Sequence, residues 1–514
     1  MKRQRLISKG ALSRVFEQAA AKWRQQDYQG SILLLERASR QDPGNTGLLL
    51  DLGRAYGMRY LYPEAERTLE KAVFIAPRRA EALAEAGRRA QEFGHYEMAT
   101  RYFERASKES DASANVFVTL SELYERGHRM VESGALVERA LVAQPDHAGG
   151  RLVQARLNRL AGALEEAEKQ VRELLQSSSC DTQTRIRAWY ELGTILDREQ
   201  RFDEAMTSFL EAKALQRPAA ARAASILQGI QERVKEEEQT ITASVLERWA
   251  SVKDPSPERR FAVLCGHPRS GTTLLEQILD AHPQVVSAEE THILHDEAYL
   301  PLSRGFDAST SVLQVLEAAA LSQLRFSREN YFRFTELFIG KPIDSKLLVD
   351  KNPALNVLIP AVVRIFPETR FLVAVRDPRD VCLSCFMQPL AINPVSSAYL
   401  TLEGTVKQYA SVMGFWRAML PRMSNPHYEA RYENIVGDLE GEARRVLGFL
   451  GVSWDERVLR YHEHARSKPV RSPSYAEVIK PVFKGAIGRW KNYQKHLEPW
   501  LEKLVPFLKA FDYN

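Results

Sequence analysis

Residues 261–290, FAVLCGHPRSGTTLLEQILDAHPQVVSAEE, decide the fold of the C-terminal half of this chain. The apolar run from Phe261 to Cys265 predicts a buried parallel strand, residues 266–271 predict a tight turn, and the periodicity from Thr272 to Leu279 predicts a helix. The backbone N–H groups of such a loop and the helix N-terminus attract an anion, so we expect a phosphate or sulfate ligand. The candidate binding residues are Gly266, His267, Pro268, Arg269, Ser270, Gly271, Thr272 and Thr273.

The charge pattern of this loop separates two reaction classes. Its spacing matches the nucleoside triphosphate loop G-x-x-x-x-G-K-[ST], but Thr272 occupies the lysine position. Phosphoryl transfer needs that lysine and a Mg²⁺ ion because the transferred group carries much negative charge. A sulfuryl group carries less charge, so we expect no metal, and the positive charge lies within the loop at Arg269.

Three short motifs in this stretch resemble a known family. P-R-S-G-T-T-L, followed by L-D-A-H-P and A-E-E-T, resembles the donor-binding loop of sulfotransferases, in particular the tyrosylprotein type. With the repeats described below, the chain resembles bacterial tetratricopeptide-repeat sulfotransferases. The resemblance implies 3′-phosphoadenosine 5′-phosphosulfate as the sulfuryl donor. The alternatives are the phosphate loop of another nucleotide enzyme and a core turn without a ligand.

Two further predicted strands carry candidate ligand residues at their carboxyl ends. Lys351 ends the run that begins at Lys346, and ligands of open α/β sheets bind at such ends. The run 371–375 delivers Arg376, with Ser384 about two helical turns later. The family resemblance implies that Arg376 and Ser384 grip the 3′-phosphate of the donor. A lone surface lysine and a local pair of Arg376 with Asp377 are the structural alternatives.

The resemblance continues toward the C-terminus, in residues 431–436, 474–482 and 488–490. At the matching positions it implies donor contacts by Tyr432, Ser474 and Arg489. Arg489 stands where the family more often has lysine, which keeps the charge and changes its geometry.

Sulfuryl transfer requires a base for the acceptor proton and cations for the leaving group. The family resemblance places Glu290 in the base position, with Arg269 and Lys351 serving the reacting oxygens. Many small-molecule sulfotransferases resemble one another in using a histidine base, so His282, His292 and His295 compete with Glu290.

Composition and charge exclude several classes of protein. The net charge of +5 over 514 residues gives no electrostatic case for nucleic acid as a partner. We find neither a secretory signal nor an apolar run long enough to span a membrane. Four cysteines without the paired spacing of a zinc site are typical of a reduced, cytoplasmic protein.

Residues 11–218 form an internal repeat with a period of 34, visible in Pro43, Pro77 and Pro145. Small residues recur in the same register, among them Ala65 and Ala99. The pattern resembles tetratricopeptide repeats, and we count about six. The concave face of such an array suits a peptide or protein partner, although a rigid spacer or a dimerisation surface is the alternative.

The predicted organisation is an all-α tetratricopeptide solenoid followed by an α/β, P-loop-like sulfotransferase domain with a central parallel sheet. The predicted boundaries are 11–218 for the repeats, 219–257 for a connecting helix and linker, and 258–514 for the catalytic domain. Residues 296–345 and 386–405 match no motif, and they lie where the acceptor pocket is expected. Protein tyrosine is the expected acceptor; a carbohydrate or small-molecule acceptor, a nucleotide-dependent kinase and a noncatalytic adaptor are the alternatives.

Overall fold

The chain forms two compact units, residues 1–162 and residues 163–514. The computed structural model describes residues 9–251, 259–307, 309–466, 475–482 and 484–513. The predicted boundaries at residues 218 and 257 stay predictions; the division between the units falls earlier, within the predicted repeat region.

The described part of the first unit consists of helices that pack in consecutive pairs, α1 with α2 through α7 with α8. Pro43, Pro77 and Pro145 each follow the second helix of a pair, as the sequence predicts. The helices are α1 (Lys9–Arg24), α2 (Tyr28–Gln41), α3 (Thr46–Met58), α4 (Tyr62–Ile75), α5 (Arg79–Glu92), α6 (Tyr96–Ala106), α7 (Ala114–Arg126), α8 (Met130–Ala143) and α9 (Ala148–Leu160).

The small residues of the repeat pattern allow paired helices to approach closely. A Cβ atom added to Gly87 of α5 would lie 2.7 Å from the ring of Phe103 on α6. Gly53 meets Leu69 of α4 in the same way, 34 residues earlier. The aromatic or aliphatic side chain of the second helix therefore fills the space that the glycine leaves, and a methyl group there would separate the helices.

The second unit begins with more helices: α10 (Leu164–Gln176), α11 (Thr182–Arg198), α12 (Phe202–Thr240) and α13 (Ala243–Ala250). Helix α12 contains Pro218 in its interior and continues through residue 240. The connecting helix that we expect from residue 219 is thus the second half of α12.

A five-stranded parallel sheet follows, in the order β2-β3-β1-β4-β5. The predicted strands at residues 261–265 and 371–375 and the predicted helix at 272–279 are confirmed, with small shifts at their ends. The strands are β1 (Phe261–Gly266), β2 (Val285–Glu289), β3 (Leu347–Lys351), β4 (Arg370–Val375) and β5 (His427–Arg431).

Helices surround the sheet and connect its strands. They are α14 (Thr272–Asp280), α15 (Leu300–Ser303), α16 (Val312–Ala318), α17 (Leu321–Ile339), α18 (Ile359–Ile365), α19 (Pro378–Phe386), α20 (Pro394–Ser397), α21 (Leu402–Met419), α22 (Tyr432–Gly437), α23 (Leu439–Leu450), α24 (Tyr461–Arg466), α25 (Tyr475–Val478), α26 (Gln494–Leu497) and α27 (Val505–Ala510). Shorter 3₁₀ turns and one π-helical turn, Leu294–Tyr299, complete the unit. No helix in the described ranges is long and apolar enough to cross a membrane.

Lys213 of α12 is a buried lysine in the second unit. Its side chain is 2% exposed and its Nζ donates a hydrogen bond of 3.3 Å to the carbonyl oxygen of Gln388. The rings of Tyr190 and Phe386 each lie with their centroids 5.2 Å from Nζ. Burial lowers the pKa of Lys213 to about 7.

We predict that Lys213→Met raises the free energy of unfolding at pH 7 by on the order of 1 to 3 kcal/mol. The unfolded chain, in which lysine titrates near about 10.4, binds a proton that the folded form releases above pH 7. The buried lysine therefore lowers the free energy of unfolding by its full amount below pH 7, and this destabilisation disappears as the pH rises toward about 10. Denaturant unfolding at several pH values measures the difference.

The control for this prediction is Lys235→Met, which changes an exposed lysine of the same helix. It should leave the pH dependence of stability unchanged. If Lys213→Met instead lowered stability by the same amount at every pH, the lysine would be a charged group held by the two rings, and the prediction would be wrong.

Candidate active site

The loop between β1 and α14 depends on two glycines with positive φ. Gly266 has φ 137° and Gly271, the N-cap of α14, has φ 99°. A Cβ atom on Gly266 would lie 2.5 Å from the carbonyl oxygen of Ala374 in β4, and one on Gly271 would lie 2.8 Å from the ring of Tyr432. Only glycine fits these two positions. The loop therefore lies directly against β4 at Gly266 and against Tyr432 at Gly271.

Within this loop, His267 and Ser270 support the backbone. The Ser270 hydroxyl donates to the carbonyl oxygen of His267 at 2.6 Å, and the amide of Gly266 donates to Asn356 at 3.1 Å. The His267 side chain is fully buried, and burial lowers its pKa to about 4, so the ring is neutral at pH 7. Both side chains lie outside the lining of the cavity described below.

Arg376 lies beside the loop because β4 pairs with β1. Its Nη1 donates to the carbonyl oxygen of Arg269 at 3.2 Å, its Nη2 donates to that of Ala486, and its guanidinium carbon lies 4.8 Å from the Tyr432 ring centroid. Its buried Nε has no hydrogen-bond partner within the described ranges. Arg269 Nε donates to the Ser384 hydroxyl at 3.0 Å. Four predicted binding residues from three segments of the chain, Arg269, Arg376, Ser384 and Tyr432, therefore lie together.

Lys351 lies at the centre of an acidic cluster. Its Nζ is 2.7 Å from Glu290, 3.3 Å from Glu276 and 3.7 Å from Glu289. Lys351 and Glu276 are fully buried, whereas the Glu290 side chain is 36% exposed. Burial alone would lower the pKa of Lys351, but the three carboxylates outweigh it and raise this pKa, so the side chain stays an ammonium ion.

Glu290 is the member of this cluster that reaches the cavity. Its backbone is left-handed, with φ 49°, and its amide donates to the carbonyl oxygen of Lys351 at 2.7 Å. Non-glycine residues hold this conformation at a cost, so the surrounding contacts fix it. The result is a carboxylate held at the cavity by a buried ammonium group.

The three candidate histidines lie in different environments, and only one of them reaches the cavity. His282 is buried, with Nε2 2.9 Å from the carbonyl oxygen of Ser453 and Nδ1 accepting from the amide of Gln284 at 3.1 Å. His295 pairs with Asp296. Of the three, His292 alone lines the cavity.

Arg489 joins the site from the C-terminal segment. It lines the cavity, and its Nη2 donates to Asp197 of α11 at 2.5 Å. Asp380 of α19 accepts the amides of Gly488 at 2.7 Å and Trp490 at 2.8 Å, which ties this segment to the helix that follows Arg376. The predicted donor contact Ser474 lies outside the described residues.

A cavity of about 720 Å³ lies at this site, and its lining includes Arg269, Glu290, Arg376, Ser384 and Arg489. Its wall includes eight residues of the range 388–399, a stretch that matches no motif and contains no charged side chain. None of the described residues of the other unassigned range, 296–345, lines the cavity. Ile230 of α12 also lines the cavity, a contribution that no local motif predicts.

Comparison with known proteins finds one family model in each half of the chain. Residues 262–456 match the model of a family described as "Sulfotransferase family", and residues 22–86 match a model described as "Tetratricopeptide repeat". The C-terminal half therefore contains a sulfotransferase domain and the N-terminal region contains tetratricopeptide repeats, as the resemblance predicts.

Individual relatives are distant. Protein-tyrosine sulfotransferase A of Caenorhabditis elegans is 25% identical over 49% of this chain and 67% of its own length. The protein-tyrosine sulfotransferase of Drosophila melanogaster is 29% identical over 44% of this chain and 46% of its own length. A protein of Aquifex aeolicus (strain VF5), whose name gives no function, is 24% identical over 68% of this chain and 45% of its own length. The chain thus spans about half to two thirds of these curated relatives.

Proposed function

We propose that this protein transfers a sulfuryl group from 3′-phosphoadenosine 5′-phosphosulfate to a hydroxyl group of an acceptor. One observation carries the proposal: Arg269 after β1 and Arg376 after β4 face the same cavity. The match of residues 262–456 to sulfotransferases supports this reaction. Thr272, at the position of the phosphoryl-transfer lysine, argues against a kinase.

The cavity residues fit the donor, which carries a phosphosulfate at one end and a 3′-phosphate at the other. The N-terminus of α14 and Arg269 suit the phosphosulfate. Among the described residues, Arg376 Nε–H has no hydrogen-bond partner, and Ser384 accepts from Arg269 while its own hydroxyl hydrogen can still be donated. Both side chains therefore suit the 3′-phosphate. A volume of about 720 Å³ is in the usual range for a ligand of this size.

The bound donor would supply the sulfuryl group, and the chain supplies the base and the cations. Glu290 removes the proton from the acceptor hydroxyl, whose oxygen attacks the sulfur while the bond from sulfur to the phosphate oxygen breaks. Arg269 and the N–H groups at the start of α14 stabilise the charge that develops on that phosphate oxygen. Tyr432, Ser474 and Arg489 complete the proposed donor contacts.

Lys351 is the third proposed catalytic residue. Its ammonium group holds the Glu290 carboxylate at 2.7 Å and adds positive charge near the reacting oxygens. His292 is the alternative base, since it also lines the cavity. The four cysteines are buried and no disulfide joins them, which supports a reducing, cytoplasmic location.

We predict that the protein binds adenosine 3′,5′-bisphosphate without Mg²⁺, and that Arg376→Ala weakens this binding by roughly 1.5 to 3 kcal/mol, the range for a charged hydrogen bond. Isothermal titration calorimetry with EDTA present measures both. The matched control is Arg417→Ala, which removes an arginine of α21 that does not line the cavity. Preferential binding of Mg·ATP over the bisphosphate would favour the kinase.

We predict that Glu290→Gln lowers kcat by roughly 10² to 10⁴, the usual effect of losing a general base, with little change in bisphosphate affinity. The amide keeps the size of the side chain and still accepts a hydrogen bond from Lys351, whose charge Glu276 and Glu289 continue to balance. Sulfate transfer measured with a labelled donor gives kcat. If His292→Gln abolished turnover while Glu290→Gln kept it, the base would be the histidine.

For the acceptor, we propose a tyrosine hydroxyl on a peptide or protein, presented with help from the repeat helices. Two relatives are named protein-tyrosine sulfotransferases. The uncharged wall at residues 388–399 suits an aromatic ring, and a phenol loses its proton more readily than an aliphatic alcohol. The proposed peptide surface is the concave face of the repeats.

We predict that a chain beginning at residue 163, which lacks α1–α9, keeps its kcat/KM on a simple phenol and loses at least about tenfold on the best peptide, because the peptide loses contacts worth about 1.4 kcal/mol. The division between the compact units sets this starting point. Steady-state kinetics on phenol, peptide and glycan acceptors test it. Equal kcat/KM for both chains on the peptide would show that α1–α9 do not take part in acceptor selection, and transfer to glycan alone would rule out tyrosine as the acceptor.

A further inference from the structure

Asp197 lies near the end of α11 and uses both carboxylate oxygens to hold the C-terminal segment. Oδ2 accepts from Arg489 Nη2 at 2.5 Å, and Oδ1 accepts from the Tyr493 hydroxyl at 2.6 Å. The Asp197 side chain is 15% exposed, and Tyr493 is fully buried. With both oxygens occupied, the carboxylate has one orientation.

We propose that Asp197 is a positioning residue for the donor site, because it fixes the guanidinium of Arg489 at the cavity wall. The inference rests on the proposed function and extends it to a helix of the predicted repeat region. Only Nη2 of Arg489 donates to Asp197, and a guanidinium has five N–H donors, so donors remain for an anion in the cavity.

The segment that carries Arg489 is also linked to the other predicted phosphate contact. Ala486 accepts from Arg376, and Asp380 accepts the amides of Gly488 and Trp490. Backbone bonds thus fix one side of the segment, while the Arg489 side chain depends on Asp197. A long arginine without that partner would lose its fixed orientation, and ordering it on binding would cost free energy.

A carboxylate beside an arginine has two opposite effects on anion binding. It neutralises part of the positive charge, which weakens binding, and it preorganises the donors, which strengthens binding. Arg489 is 35% exposed, so water screens the first effect, whereas the buried Tyr493 holds Asp197 rigidly and favours the second. We therefore expect the positioning effect to dominate.

The chain offers a matched control in Asp203, at the start of α12. It pairs with Lys495 at 2.7 Å and with His496 at 3.4 Å, so it also links these helices to the C-terminal segment. Its side chain is 67% exposed, and neither Lys495 nor His496 lines the cavity. Asp203→Asn makes the same change in charge without touching the proposed donor site.

Titration of the full-length protein with adenosine 3′,5′-bisphosphate tests the proposal. We expect Asp197→Asn to raise Kd by about tenfold and Asp203→Asn to change it by less than about twofold. In an Arg489→Ala background, Asp197→Asn should add less than about twofold, because the two residues act as one unit. Asp197→Glu should restore part of the affinity, and KM for the sulfuryl donor should rise more than kcat falls.

Other outcomes overturn the proposal in distinguishable ways. An unchanged or lower Kd in Asp197→Asn, or the same loss with and without Arg489, would show that Asp197 does not position this arginine. If Asp197→Asn fails to fold, Tyr493→Phe, which frees one carboxylate oxygen and keeps the ring packed 5.4 Å from Phe202, must raise Kd for the proposal to stand. Failure of the unchanged protein to bind the bisphosphate would instead refute the proposed function.

Discussion

The parallel pairing of β1 with β4 is the constraint on which the site depends. Gly266 lies opposite Ala374 in that pair, so close to its carbonyl oxygen that no side chain fits. The loops that follow the two strands therefore lie at the same edge of the sheet, close enough for a hydrogen bond between them. Arg269 and Arg376, 107 residues apart, become parts of one surface because of this contact. The two positive charges can lie on one surface because each has a carboxylate nearby. Glu477 lies near Arg269, and Asp380 lies near Arg376.

The local parts of this arrangement could be predicted from the sequence. The run from Phe261 to Thr273 carries its own strand, turn and helix signals, and Arg376 with Ser384 carries a second strand and helix. What could not be predicted depends on contacts between distant segments. Asp197 and Arg489 are 292 residues apart, and neither lies in a motif that names the other. Helix α12 also continues through Pro218, although a proline in a helix interior usually ends or kinks the helix.

Lys351 illustrates the same limit at a single residue. Its place at the end of β3 is evident from the sequence, and from that place we expected a lysine that reaches the donor. In the structure three carboxylates enclose it, and Glu290 stands between its ammonium group and the cavity. Removing one partner of a buried ion pair leaves an uncompensated charge and costs about 3 to 5 kcal/mol. Loss of activity on replacing Lys351 would therefore mix instability with lost chemistry, which Glu290→Gln largely avoids.

The last helices of the predicted repeat region, α10–α12, belong to the second compact unit. Asp197 holds Arg489, Lys213 donates to the backbone of the cavity wall at Gln388, and Ile230 lines the cavity itself. A chain that began at residue 258, the start of the catalytic domain expected from the sequence, would lose all three. Loss of activity in that chain would say nothing about acceptor recognition, because the proposed donor site would be altered as well. Recognition by the repeats has to be tested with α10–α12 in place, and their contribution to the donor site has to be tested by single substitutions in the full-length protein.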